Sequence, residues 1–196
     1  MPGRTKANEP KPSRPRIPEY GIPKTAKGML PWSFVDERMA AARSYWVSTT
    51  RPDGRPHARP VDGVWLDGAL AFGGSDKVIW VRNLEANPQV SLHLDSGEEV
   101  VILEGKAERM LDAAHPLATR VLQASKKKYP QYYPGAGTPP FRPFWMLRPE
   151  IAFAWTLSGF PKTATRFQLR PRDTRSRKEA RSSRPQKPPL KKKPSP

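Results

Sequence analysis

The sequence predicts a mainly β domain: a barrel of roughly six or seven short, mostly antiparallel strands with two or three flanking helices. Runs of β-branched and aromatic residues alternate with tight-turn signals along residues 45–169. Asp67-Gly68 lies between two apolar runs, and this dipeptide favours the type I′ turn of a two-residue hairpin. Short strands joined by tight turns favour a barrel, because closing the sheet removes its exposed edges.

Composition separates the chain into a body and two basic tails. Residues 1–28 carry seven Lys or Arg against two Glu, and residues 168–196 carry eleven against one Asp and one Glu. These ends hold most of the formal net charge of +17, and they have little apolar surface to bury. We expect a disordered, proline-rich basic leader over 1–28, one folded domain over 29–169 and a disordered basic tail over 170–196.

The chain has no cysteine, so it can hold neither a disulfide nor a thiolate-bound metal. Its basic N-terminus lacks the apolar run of a signal peptide, and no segment approaches the length of a membrane span. The sequence therefore predicts a cytoplasmic protein without a membrane span.

Two segments outside the centre of the body have the pattern of helices. The first runs from Pro31 to Arg43, with Ser33 as its N-cap and acidic residues in its first turn. The second runs from Asp112 to Lys128, with Asp112 as its cap and three lysines at its C-terminal end. These patterns predict helices that pack on the body.

Prolines and glycines mark irregular positions in the predicted strands. The prolines in residues 55–61 demote this run to an irregular or edge strand, separate from the hairpin strand that follows, since proline donates no ladder hydrogen bond. Residues 144–148 and 151–156 are likewise predicted as two strands. Gly105 interrupts a long run and predicts a bulge or a barrel corner. Residues 130–143, a loop with five prolines and three aromatic residues, are expected to form a lid or a docking segment.

A glycine-rich turn follows the central hairpin. Gly73 and Gly74 allow a sharp bend with no Cβ in the way of an approaching group, and a short helix is predicted after them. Ser75 or Asp76 is expected to cap that helix, and Lys77 is expected in its first turn. A helix N-terminus with small residues and a lysine suits a phosphate, although many strand-to-helix corners look like this and bind nothing.

The body resembles the pyridoxamine 5′-phosphate oxidase-like superfamily of flavin-binding split barrels and, more narrowly, the flavin and deazaflavin oxidoreductases common in actinobacteria. The resemblance lies in the order of several short segments rather than in one diagnostic motif. These segments are residues 46–57, 60–61, 63–65, 67–70, 72–73, 82–84, 87–88, 100–105 and 164–167. The resemblance implies an FMN-binding split barrel, which is a six-stranded antiparallel barrel of Greek-key type. It also implies a homodimer with the cofactor at its interface.

The resemblance also implies a set of cofactor-binding residues. The backbone that would hold the cofactor ring belongs to Arg59, Pro60 and Val61, with Gly63-Val64 beside them. The residues implied near the cofactor phosphate are Gly73, Gly74, Ser75, Lys77, Arg82 and Asn83. Relatives usually carry further basic residues where this chain has the apolar segment 78–81. Either Lys77 substitutes for them, or the phosphate site is degraded and binds the cofactor poorly.

No catalytic side chain is predicted, because in such enzymes the cofactor carries the hydride while the protein orients it and excludes water. Trp65, Trp155 and Arg166 are candidates for the substrate side, although tryptophans in such a barrel more often fill the core. The three histidines, His57, His93 and His115, lack the spacing of a metal site, so no metal is predicted.

Three functions are compatible with these patterns. The resemblance implies a reductase that uses coenzyme F420, a deazaflavin with an anionic tail, on a small conjugated substrate. The alternative is an FMN-binding oxidase or reductase of the same superfamily. A second alternative is a non-catalytic cofactor-binding or nucleic-acid-associated protein, whose basic tails bind nucleic acid weakly and electrostatically.

Overall fold

A computed structural model describes residues 9–135, 137 and 139–169. The predicted basic tail over 170–196 lies outside these residues. The elements in chain order are β1 (Pro12–Ser13), α1 (Trp32–Ala41), β2 (Ser44–Thr50), β3 (Pro56–Leu66), β4 (Ala69–Phe72), α2 (Ile79–Ala86), β5 (Gln89–His93), β6 (Glu99–Met110), α3 (Pro116–Lys128), β7 (Phe144–Thr156) and β8 (Thr165–Gln168). Within this part of the chain, every helix is too short or too polar to cross a membrane.

Six strands form a closed antiparallel barrel. Their order around the barrel is β7-β4-β3-β2-β5-β6, and β6 pairs again with β7. Strand β8 continues the sheet beyond β7, and the short β1 pairs with β8. The prediction of a mainly β fold with a six-stranded antiparallel barrel is therefore confirmed.

Two apolar cores stabilise this arrangement. The main core fills the barrel and includes residues of α1 and α2, such as Val35 and Val81, which are fully buried. A smaller core lies outside the barrel, where Ala118 of α3 and Tyr129, the residue after α3, pack against Val64 and Met146 of the sheet. Helix α3 is therefore held on the outer surface, a position that leaves space beside it.

Strand β3 is longer than its sequence suggests. The predicted irregular run and hairpin strand are one continuous strand, because residues 56–62 pair with β2 and residues 63–66 pair with β4. The other side of residues 56–62, which we call the open edge, has no strand partner among the described residues. The prediction of an edge strand is thus confirmed for this half, and its prolines are tolerated there.

Strand β7 is also continuous, although its sequence predicts two strands. Gly105 of β6 lies opposite Pro149, and the preceding residue of β6 lies opposite Ile151, so Glu150 is an extra residue in the ladder. A Cβ on Gly105 would lie 2.7 Å from the carbonyl oxygen of Arg148. The predicted irregularity at Gly105 is therefore present as a bulge, whose extra residue belongs to β7 opposite Gly105.

The predicted helix caps are wrong for α1 and α3. The N-cap of α1 is Pro31, which makes no side-chain hydrogen bond, and Ser33 lies inside the helix. Helix α3 begins at Pro116 because the Nδ1 atom of His115 accepts a hydrogen bond from the N–H of Leu117 at 3.1 Å. Asp112 instead accepts from the amide of Ala114 in the turn before the helix, at 2.8 Å.

Part of the expected disordered leader lies against the barrel. Residues 9–28 include β1, and the guanidinium of Arg14 donates hydrogen bonds to four carbonyl oxygens. These belong to Thr25 at 2.8 Å, Lys27 at 2.7 Å, Lys162 at 2.7 Å and Ala164 at 2.9 Å. The expectation of disorder thus does not describe residues 9–28, because backbone carbonyls, which composition does not reveal, supply the partners of Arg14.

Candidate functional site

A cavity of about 910 Å³ lies on the outside of the barrel, beside α3. One wall comes from the middle of β3 at Asp62 and from the turn after β4 at residues 73–76, and another comes from α3. The proline-rich segment 139–143 forms the third wall, so part of the predicted lid or docking loop does line the cavity. The volume is in the range of pockets that bind drug-sized ligands.

The turn after β4, which we call the glycine corner (residues 73–78), is exposed at residues 73–77. A Cβ on Gly74 would lie 2.5 Å from the indole of Trp80, so glycine is needed at this close approach. The Oγ atom of Ser75 accepts from the N–H of Lys77 at 3.3 Å, and the Ser75 carbonyl accepts from the N–H of Val78 at 3.0 Å. The corner is therefore a compact turn with an indole on one side.

Helix α2 begins later than predicted, at Ile79. Its N-cap is Val78, which has no side-chain acceptor, so neither Ser75 nor Asp76 caps it. Lys77 consequently lies before the helix and not in its first turn, because the residues expected to cap the helix form the preceding turn instead. The prediction that Lys77 lies beside the first amides of the helix is therefore wrong, although Lys77 belongs to the glycine corner and the helix begins directly after it.

Two ion pairs tie the glycine corner to neighbouring elements. Arg109, near the end of β6, donates from Nη2 to Asp76 at 2.6 Å and from Nη1 to Glu85 of α2 at 2.7 Å. The side chain of Arg109 is 24% exposed, whereas that of Asp76 is 69% exposed. Sequence reasoning did not find Arg109, since 33 residues separate it from Asp76.

The structure brings only some of the predicted cofactor residues to the cavity. Gly73, Gly74 and Ser75 line it, whereas Arg59, Pro60, Val61, Lys77, Arg82 and Asn83 do not. Arg59 and Pro60 are exposed on the open edge of β3, and Val61 is buried in the main core. Asn83 is also buried, and its Nδ2 atom donates to the Oγ1 atom of Thr49 at 2.9 Å.

None of the three substrate-side candidates lines the cavity. Trp65 donates from Nε1 to Asp36 of α1 at 2.7 Å. Trp155 packs edge-on against Phe160, with 6.2 Å between ring centroids. Arg166 donates to the side chain of Gln168, its neighbour on β8.

A cluster of basic side chains, which we call the basic cluster (Arg51, His57 and Arg59), lies at the start of β3. The Nη2 atom of Arg51 is 3.4 Å from Nδ1 of His57, and Nε of Arg51 is buried without a hydrogen-bond partner among the described residues. Burial lowers the pKa of His57, and the positive charges of Arg51 and Arg59 lower it further. Positions 57 and 59 share one face of a strand, so alternation along β3 was the available signal.

A second group that sequence reasoning missed supports the cavity from behind. The Nζ atom of Lys128 donates to the hydroxyl of Tyr45 and to the carbonyl of Gly63, both at 2.8 Å. Burial lowers the pKa of Lys128 to about 8. The hydroxyl of Tyr129 accepts from the N–H of Gly63 at 2.9 Å, and that of Tyr132 donates to Asp62 at 2.7 Å. These contacts attach the C-terminal end of α3 to β3 beside the cavity.

Comparison with solved structures shows the same fold in several bacterial proteins. The conserved hypothetical protein Rv2991 from Mycobacterium tuberculosis superposes with a TM-score of 0.56 and 20% identity over 67% of this chain and 88% of that chain. A heme binding protein from Mycobacterium smegmatis superposes with a TM-score of 0.56 and 21% identity, over 72% of this chain and 60% of that chain. A putative 5-nitroimidazole antibiotic resistance protein from Bacteroides thetaiotaomicron superposes with a TM-score of 0.51 and 12% identity, over 68% of this chain and 82% of that chain.

Comparison with protein families gives the assignment. No curated protein matches the sequence. The family model described as pyridoxamine 5′-phosphate oxidase matches residues 33–156, which is more than half of the chain and includes the whole of β2 to β7. The closed six-stranded barrel is the split barrel that the resemblance predicted. The chain therefore belongs to the pyridoxamine 5′-phosphate oxidase family.

Proposed function

We propose that this protein is a coenzyme F420-dependent reductase acting on a small conjugated substrate. The observation that carries the proposal is the cavity, which joins the glycine corner to the middle of β3 in a barrel of this family. The bound deazaflavin would supply the hydride. The residues of this chain would bind the cofactor, orient it against the substrate and exclude water from the space under segment 139–143.

Basic side chains that do not themselves line the cavity suit an anionic cofactor. The basic cluster offers two guanidinium groups and an imidazole, and one buried guanidinium nitrogen of Arg51 has no partner among the described residues. Lys77 and Arg82 are exposed on either side of the first turn of α2. Cationic groups on a barrel edge attract the phosphate and carboxylate groups of coenzyme F420.

Two residues of the apolar segment 78–81 have a structural explanation, whereas Ile79 is exposed. Trp80 is 6% exposed and Val81 is fully buried, since both pack from α2 into the main core. A lysine or arginine at either position would remove its charge from water. We therefore propose that Lys77 substitutes for the basic residues that relatives carry here, as a point charge on a flexible side chain.

FMN is the alternative cofactor, because it also carries a phosphate group beside a similar tricyclic ring. We do not propose heme, which one structural neighbour is described as binding. The described lining of the cavity contains no His, Cys or Met. Binding of nucleic acid by the tails, without catalysis, remains the second alternative.

We further propose a homodimer that covers the outer face of the barrel. Directly opposed residues on β3, β2, β5, β6 and β7 form an outer row: Pro60, Trp46, His93, Ile102 and Phe153. The rings of Trp46 and His93 are stacked, with an interplanar angle of 4°. The row begins at the open edge beside Arg59, so a second copy seated on it would also enclose the proposed cofactor backbone. A domain boundary at 169 and a cytoplasmic location belong to the same proposal, whereas the boundary expected at 29 moves toward the N-terminus to include residues 9–28, which contact the barrel through β1 and Arg14.

Separate fluorescence titrations with coenzyme F420 and with FMN test the proposed function. We expect tight binding of coenzyme F420 and at least ten-fold weaker binding of FMN. The Lys77→Gln variant should weaken both, because it removes an exposed charge and no packing, while the Lys127→Gln variant on α3 should bind as the wild type does.

The outcomes separate the three functions. Preference for FMN would support the oxidase-like alternative. Binding of neither cofactor would reject the oxidoreductase proposal, and nucleic-acid binding would then be measured with and without residues 170–196. Loss of nucleic-acid binding on truncation would assign it to the tail.

A further inference from the structure

The glycine corner carries one acidic residue at the place where an anion is proposed to bind. Asp76 lines the cavity and immediately precedes Lys77, so a free carboxylate there would oppose the charge of the lysine. Arg109 prevents this, since its Nη2 atom holds Oδ1 of Asp76 at 2.6 Å. The same guanidinium holds Glu85 of α2 at 2.7 Å through its other terminal nitrogen.

We propose that Arg109 is a positioning residue that neutralises Asp76 and holds the glycine corner in an anion-accepting state. This inference rests on the proposed function, because the anion in question is the cofactor phosphate. Arg109 does not line the cavity and acts through Asp76. It lies on β6, a rigid strand of the closed barrel, whereas Asp76 belongs to a turn, so the ion pair ties a turn to the barrel.

Charge determines the expected size of the effect. Arg109 and Lys77 together balance Asp76 and Glu85, so the four side chains have no net charge. Removal of Arg109 leaves one negative charge, which at ~8 Å from a bound phosphate weakens binding about ten-fold. Removal of both Arg109 and Asp76 returns the set to zero net charge. The double variant should therefore regain most of the affinity.

The ion pairs are too exposed to dominate folding. Side chains that are 69% and 44% exposed, as Asp76 and Glu85 are, form pairs whose contribution to stability is small. The melting temperature should consequently change little when Arg109 is replaced. An effect on affinity can then be separated from an effect on folding.

The test compares the wild type with Arg109→Gln, Arg109→Gln/Asp76→Asn and a control, Arg120→Gln. The control breaks a single surface ion pair of similar length, between Arg120 and Asp67 at 2.8 Å. Affinity for coenzyme F420 and for FMN is measured by fluorescence at constant salt. We expect a loss of about ten-fold for Arg109→Gln, recovery to within about three-fold for the double variant, and no change for the control.

Hydrogen exchange of the ligand-free protein gives a second readout. The amides of Lys77 and Val78, which are bonded to Ser75, should exchange faster in both variants that lack Arg109, even where affinity recovers. Unchanged affinity together with unchanged exchange in Arg109→Gln would overturn the inference, as would a double variant no better than the single one. If the wild type bound neither cofactor, the proposed function would fail, and exchange alone would decide whether Arg109 holds the corner.

Discussion

At the scale of single residues, the site is controlled by charges in partly buried positions. Lys128 has a lowered pKa because α3 and β3 shield its amine from water, while two oxygen acceptors keep it in place. The sequence shows three consecutive lysines at a helix end, which predicts only a favourable interaction with the helix dipole. Which of the three is shielded depends on what packs against α3.

The titration of Lys128 predicts a pH dependence of stability. Its pKa is about 8 in the folded protein and near 10.5 in the unfolded chain, so the unfolded chain holds more protons between these values. Stability should therefore rise as the pH is raised from 7.5 to 9.5, by less than about 1.4 kcal/mol per pH unit because solvent screens a half-buried amine. Chemical denaturation at several pH values measures this.

The matched controls for this prediction are two lysine variants. Lys128→Met should lose the rise in stability, and Lys127→Met, which changes an exposed lysine, should retain it. Equal slopes in both variants would show that another group titrates.

At the scale of elements, the sequence predicted the presence of strands better than where each strand or helix begins and ends. The Asp67-Gly68 turn is present with φ values of 52° and 75°, and the bulge at Gly105 is present as well. Both depend on local backbone requirements that a glycine signals directly. The continuity of β3 and β7 was predicted wrongly, because pairing with neighbouring strands overrides local proline signals. The start of α2 was predicted wrongly because Ser75 accepts hydrogen bonds within the preceding turn and does not cap the helix.

The N-terminal segment gives a prediction at this scale. Arg14→Ala removes four hydrogen bonds to carbonyl groups and should release residues 9–28 from β8. Each hydrogen bond from a charged group contributes about 1.5–3 kcal/mol to stability. The conformational entropy that residues 9–28 regain on release offsets part of that loss. Limited proteolysis should cut the variant faster within 9–28, while Arg16→Ala, at an exposed position, should resemble the wild type. Equal cleavage rates would show that β1 alone holds the segment.

At the scale of the whole molecule, the outer row connects the sheet to the proposed assembly. Trp46 lies between Pro60 and His93 on the outer face, so Trp46→Glu should place a charge in the centre of the proposed interface. We expect the wild type to sediment as a dimer and this variant as a monomer, measured by analytical ultracentrifugation. Leu111→Glu, at a residue that is 63% exposed and outside the row, should leave the dimer intact. A monomeric wild type would contradict the prediction.

The sequence by itself determined the barrel and the glycine corner. Alternating apolar residues and glycine turns act over a few residues, so they can be read along the chain. Only the tertiary structure decided the site: the cavity beside α3, the basic cluster, the buried amine of Lys128 and the hold of Arg109 on Asp76. Each of these depends on contacts between residues far apart in sequence, and their charges and burial exist only after the barrel has closed.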